Sequence, residues 1–242
     1  MLKLPIDAAW NVIWDSGDKN YTSDGKGIHV TYPKGKFASA AGANFRAQPK
    51  GFPYSTVSVS YKVFFPADFD FVLGGKLPGV WGGEPGSGGG DWNSKGWSAR
   101  VMFREGGDAV AYLYMCTDQG GYNGSEKCAL ARNQGPGFDA IAHHTHGAGI
   151  DLWRGTGLRF KKGAWNAVTL AVTRNAPGKS NGSVALTVND RTQTFGGVCW
   201  SEAAMKINGF LFASWMGGGS REYAPQKTQQ ASFKDFVISG TP

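Results

Sequence analysis

The sequence predicts an all-β fold, a jelly-roll sandwich of two antiparallel sheets, on three observations. Apolar and polar residues alternate along many short runs, Gly, Asn and Asp separate those runs, and no long helical period with good caps interrupts them. The clearest run is VSVSYKVFF: Val57, Val59, Tyr61, Val63 and Phe65 fall on one face, Ser58, Ser60, Lys62 and Phe64 on the other. A period of two sends successive side chains to opposite faces, so one face can enter a core while the other meets water. The pattern recurs at 27–32, 97–103, 110–115, 166–174, 183–188, 209–216 and 232–239. SEAAMK at 201–206 is the best helix candidate. Two stretches, 74–96 and 117–157, are rich in turn residues and predict long irregular loops, which in compact domains often carry function. No linker or repeat divides residues 1–242, so a single domain is expected.

The chain of 242 residues is 41% hydrophobic and holds nine tryptophans, enough for a sizeable core. No stretch approaches the roughly 20 apolar residues that cross a bilayer, so no membrane insertion is expected. The formal charge of +7 favours an anionic partner. Nucleic acid, a membrane surface and an acidic polysaccharide all fit that charge, but Lys161-Lys162 is the longest basic run, which argues against a nucleic-acid arm. The start, MLKLPIDAAW, lacks the apolar stretch of a secretory signal. Among the cysteines, Cys116 and Cys128 bracket a polar, glycine-bearing loop. A disulfide between them would close it and contribute about 2–3 kcal/mol. Cys199 is then left over and expected to be buried.

The segment WSARVMFREGGDAVAYLYMC reads as a hairpin turning at Glu105–Asp108. Trp97, Ala99, Val101 and Phe103 on the first strand, with Ala111, Leu113 and Met115 on the second, form the core face. Ser98, Arg100 and Met102, with Tyr112, Tyr114 and Cys116, point the other way. Paired residues share a face, so paired numbers must sum to an even total. A two-residue loop at Gly106-Gly107 gives the wrong parity; a three-residue loop with a left-handed glycine repairs it. The turn is therefore expected to be three residues or bulged, with Arg100 close to Tyr112 or Tyr114.

The segments GGKLPGVWGG (74–83), WSARVMFREGGDAVAYLYM (97–115) and YAPQKTQQASFKDFVIS (223–239) resemble the family-fourteen polysaccharide lyases. The most specific feature is the spacing of Lys76, Ser98, Arg100, Tyr112 and Tyr114. GGKLPG alone also resembles the family-twenty glucuronan lyases, which share the fold. The resemblance implies a concave sheet carrying these five residues as the active site, and β-elimination on a uronic-acid glycan such as glucuronan or alginate. It also implies a monomer that is virion-associated or secreted and acts on an external algal cell wall.

Elimination needs a group that stabilises charge developing on the uronate carboxylate, a base for the C5 proton and an acid for O4. Arg100 suits the carboxylate, since its planar fork stays charged and binds in two places. Lys76 suits the base or an electrostatic partner, Tyr112 or Tyr114 the other proton transfer, and Ser98 a hydrogen bond to the carboxylate or a proton in transit. Free Lys and Tyr titrate at about 10.4 and about 10, and clustered cations are expected to lower both. Trp81, in the loop after Lys76, and Arg46 are candidates for substrate binding. A glycoside hydrolase would need paired carboxylates roughly 5–10 Å apart, and no strand alternates them on the Arg100 side; Asp68 and Asp70 alternate, but beside a strand end. A carbohydrate-binding module would explain the aromatics but not the five-residue spacing. The run HHTH at 143–146 sets His144 and His146 at alternate positions, as metal ligands on a strand could be. No Cys or carboxylate accompanies them at ligand spacing, so no metal or other cofactor is expected, and a histidine near the cleft is the other reading.

Overall fold

The computed structural model describes residues 2–3, 6–16, 20–85, 87, 95–115, 134–145, 149–203 and 205–242. Each alternating run forms a strand. In the back sheet, β2 (Tyr21–Ser23), β3 (Ile28–Tyr32), β5 (Thr56–Phe65), β11 (Ala164–Thr173), β12 (Gly182–Val188), β13 (Arg191–Val198) and β15 (Gln229–Thr241) run in the order β13-β12-β11-β5-β15-β3-β2. The front sheet holds β1 (Val12–Asp15), β4 (Gly42–Ala47), β6 (Gly74–Gly83), β7 (Gly96–Arg104), β8 (Ala109–Tyr114), β9 (Ala142–His144), β10 (Gly149–Leu152) and β14 (Ile207–Met216). Their order is β1-β4-β14-β6-β7-β8-β10-β9. Every pairing is antiparallel. The late strand β14 inserts between β4 and β6, and β15 between β3 and β5; these crossings make the sandwich a jelly roll.

The inner faces meet in an aromatic core. Phe65 of β5 packs edge-on against Phe103 of β7 at 5.5 Å between ring centroids, and Phe212 of β14 against Phe233 of β15 at 5.2 Å. Such edge-to-face pairs add about 0.5–1.5 kcal/mol beyond area burial. The outer faces differ. Along β5, buried residues alternate with partly exposed ones, as for a sheet with one wet side. Along β7 and β8 every residue is buried. The outward side chains there are buried as well, and that is where the site lies.

Two sequence expectations need correction. Residues 74–83, read as irregular, form the central strand β6. Two of its glycines face aromatic partners: a Cβ on Gly75 would lie 2.2 Å from the Phe103 ring, and one on Gly82 2.3 Å from the Trp97 ring. Phe103 and Trp97 are their register partners. The neighbouring ring fills the space over these two glycines, supplying packing that a β-branched side chain normally gives. The second irregular stretch likewise holds β9, β10 and a single helical turn, α1 (Phe138–Ile141). The other correction concerns SEAAMK, whose described residues form no helix. The Ser201 carbonyl, which a helix would bond to residue 205, instead accepts from Asn175 Nδ2 at 2.8 Å. Asn175 Oδ1 also takes the N–H groups of Trp200 and Ser201 at 2.9 and 3.3 Å. One buried amide thus satisfies the backbone groups that a first helical turn would need.

Candidate active site

Strands β6, β7 and β8 bring the predicted polar residues onto one face. The register pairs Ser98 with Tyr114, Arg100 with Tyr112 and Lys76 with Met102. The hairpin turn has the parity this demands: Arg104 N–H bonds to Asp108 O at 2.7 Å, leaving Glu105, Gly106 and Gly107 as a three-residue loop. Both glycines are left-handed, at φ 65° and 84°, which other residues adopt only with strain.

Lys76 is 4% exposed. Its Nζ lies 3.4 Å from Tyr114 Oη and 4.3 Å from the Tyr112 ring centroid. Burial pushes its pKa down to about 8; Arg100 and Arg104 push the same way and Tyr114 opposes them. Tyr112 departs from expectation. Burial, and then the neighbouring Tyr114, raise its pKa well above the usual phenol range, so the nearby cations do not make it a tyrosinate. It remains a hydroxyl that donates to Tyr114 Oη at 3.2 Å and contacts Thr145 Oγ1 at 3.1 Å. The Tyr114 oxygen therefore accepts from both Lys76 and Tyr112.

Arg100 is 5% exposed and spends one nitrogen on the protein, Nη2 donating to the Ser87 carbonyl at 3.0 Å. Nε and Nη1 are buried without a hydrogen-bond partner among the described residues. Its Cζ stands 5.1 Å from the Tyr114 ring centroid. Burial lowers the Arg100 pKa, but guanidinium starts high enough to stay charged. A buried guanidinium with free donors on two nitrogens is a receptor for an anion. The Ser98 hydroxyl donates to the same Ser87 carbonyl at 2.9 Å, bracing the group that orients Arg100.

The burial of Lys76 has a measurable consequence. Its folded pKa, about 8, lies below its unfolded value, about 10.4. Between these values the unfolded chain binds more protons, so stability rises with pH across that window; below it the full penalty stands. Lys76→Met is expected to be more stable than wild type at pH 7, by at most about 3 kcal/mol. The gap should narrow toward pH 10 in urea unfolding, and a gap independent of pH would contradict the buried cation.

Trp81 sits on β6, not in a loop, and is 5% exposed. It clusters with Leu211 and Ala213 on the floor of the concave face, its ring against Gly209. Arg46 is half-buried on β4, its guanidinium 4.6 Å from the Trp14 ring centroid, and makes no ion pair among the described residues. Burial lowers its pKa. Of the histidines, His143 pairs with Asp151 and so shares the Tyr112 face, at the far edge of the sheet; His144 pairs with Ile150. His146, Cys116 and Cys128 lie outside the described residues. Cys199 is buried with a free thiol. Among the described residues no three of His, Cys, Asp and Glu gather as metal ligands.

Sequence reasoning missed a buried ion pair beside the site. Arg104 Nη2 meets Asp151 Oδ1 at 2.5 Å, with side chains 7% and 0% exposed. Burial penalises the Arg104 charge, but Asp151 outweighs it and the Arg104 pKa rises. Arg104 has the parity of Arg100 and was legible on that ground. Asp151 was not, because its strand lay in a stretch read as loop.

Solved structures resemble this chain throughout. A marine PL-14 alginate lyase from Aplysia kurodai is 27% identical, with 96% of this chain and 90% of that chain covered at a TM-score of 0.79. An alginate lyase from Chlorella virus is 24% identical over 99% of both chains, TM-score 0.77. An endo-β-1,4-glucuronan lyase from the fungus Trichoderma reesei shares the fold at 10% identity, with 95% and 91% covered and a TM-score of 0.57. A search among curated proteins gives no match. The family model for polysaccharide lyase 14 matches residues 20–236, which include every residue of the cluster around Arg100, and the chain belongs to that family.

Proposed function

We propose that the concave face cleaves uronic-acid glycans, alginate or glucuronan in type, by β-elimination. The observation that carries this reading is Arg100, a buried cation whose Nε and Nη1 have no hydrogen-bond partner among the described residues, set beside the Lys76–Tyr114 contact. The substrate carboxylate accepts from a free donor of the Arg100 guanidinium, and the charge that builds on it as C5 loses its proton is stabilised there. Tyr114 and Lys76 form the proton-transfer pair: the C5–H bond breaks toward a base, its electrons form the C4=C5 double bond, the C4–O4 bond breaks, and O4 leaves with a proton. The Tyr114 oxygen, accepting from Lys76 and Tyr112, is the group best supported to hold the proton in transit. Tyr112 stays neutral as a donor, and Ser98 holds the carbonyl that orients Arg100. Trp81 and Arg46 belong to the binding surface. One core shared by both sheets supports residues 1–242 acting as one catalytic domain, and we take it as a monomer. We take it further as a virion-borne or secreted chain that degrades an external algal cell wall.

Incubation with polymannuronate, polyguluronate and glucuronan is expected to give ultraviolet absorbance from the C4=C5 bond. New reducing ends without that absorbance would mean hydrolysis and overturn the reading.

A further inference from the structure

A straight row of register partners crosses the front sheet from its β1 edge to the site. Trp14 pairs with Arg46, Arg46 with Leu211, Leu211 with Gly79 and Gly79 with Arg100. Adjacent strands lie about 4.8 Å apart, so the Arg46 backbone stands about 14 Å from that of Arg100 along the row and Trp14 about 19 Å, while the Arg46 charge still reaches Arg100 and lowers its pKa. The floor between them is apolar and low: Leu211 is 3% exposed and Trp81, beside it, 5%. At the outer end the chemistry changes. Trp14 is 40% exposed, with the Arg46 guanidinium over its ring at 4.6 Å. Arg46 makes no ion pair or side-chain hydrogen bond among the described residues. An open indole edge beside an unneutralised guanidinium offers a surface for the apolar face of a sugar ring and a partner for its carboxylate.

We propose that Trp14 and Arg46 form a distal subsite that holds a second uronate unit of the chain being cleaved at Arg100. This rests on the lyase reading and adds to it a determinant of chain-length preference. A glycan lying across the strands engages both ends of the row at once. The distal contact then raises the effective concentration of the scissile unit over Arg100, and only chains long enough to reach benefit.

The test is kcat/KM on defined oligouronates of increasing length and on the polymer, for wild type, Trp14→Ala, Arg46→Gln and Trp14→Phe. In wild type the value should climb with length until the chain spans the row. Trp14→Ala and Arg46→Gln are expected to lose about tenfold of that climb, chiefly in KM, the size of one well-placed contact. Trp14→Phe, which keeps an aromatic face, should retain most of it. Wild-type cleavage with the same length dependence in Trp14→Ala, or an equal loss at every length, overturns the subsite alone. Absence of unsaturated product from wild type on any substrate overturns the lyase reading, and the subsite with it.

Discussion

Arg100→Ala is expected to lower kcat/KM on polyuronates by about 10³-fold, the scale of losing a pre-oriented charge stabiliser in a water-poor site. Its Nε and Nη1 are buried and have no hydrogen-bond partner among the described residues, while Nη2 is fixed on the Ser87 carbonyl. The fork is thus held in place before substrate arrives and costs little reorganisation when charge appears on the carboxylate. Arg100→Lys should recover only part of the loss, because an ammonium keeps the charge but not the planar pair of donors. The fold should survive both changes, since Nε and Nη1 have no hydrogen-bond partner among the described residues and burial disfavours the charge. Initial rates of ultraviolet absorbance, with thermal melts as control, measure this. A well-folded Arg100→Ala enzyme at full rate would remove Arg100 from the reaction.

Asp151→Asn is expected to cost about 3–5 kcal/mol of stability, the penalty for stranding one partner of a buried ion pair. Asp151 is wholly buried, and Arg104 meets it at 2.5 Å. Arg104 has no second carboxylate within ion-pair distance among the described residues to take its place. Arg104 in turn lies 5.3 Å from the Tyr112 ring centroid, so a displaced guanidinium would also disturb the Tyr112–Tyr114 hydrogen bond. Replacing both charges, as Arg104→Met with Asp151→Leu, should return most of the stability, because no uncompensated charge remains. Urea unfolding of the single and double variants reads this directly. Equal stability of Asp151→Asn and wild type would show that the pair contributes nothing.

Local alternation by itself determined the sandwich, which face of each alternating run enters the core, and the three-residue turn between Arg104 and Asp108. Side-chain direction in a strand reverses at each residue, and parity follows from counting along a single hairpin. That counting was enough to put Ser98, Arg100, Tyr112 and Tyr114 on one face. The tertiary structure alone decided the rest. The strand nature of residues 74–83 depends on Phe103 and Trp97 filling the space above glycines, which no propensity of the segment announces. The low pKa of Lys76 comes first from its burial on the concave face, and the high pKa of Tyr112 has the same leading cause, so sequence-level reasoning about charge missed the tyrosine. The Arg104–Asp151 pair and the row from Trp14 to Arg100 join residues from strands far apart in the chain. Such neighbours arise only when β14 inserts between β4 and β6 and the hairpin docks beside them, because register between distant strands is set by closing the whole core and not by any local period.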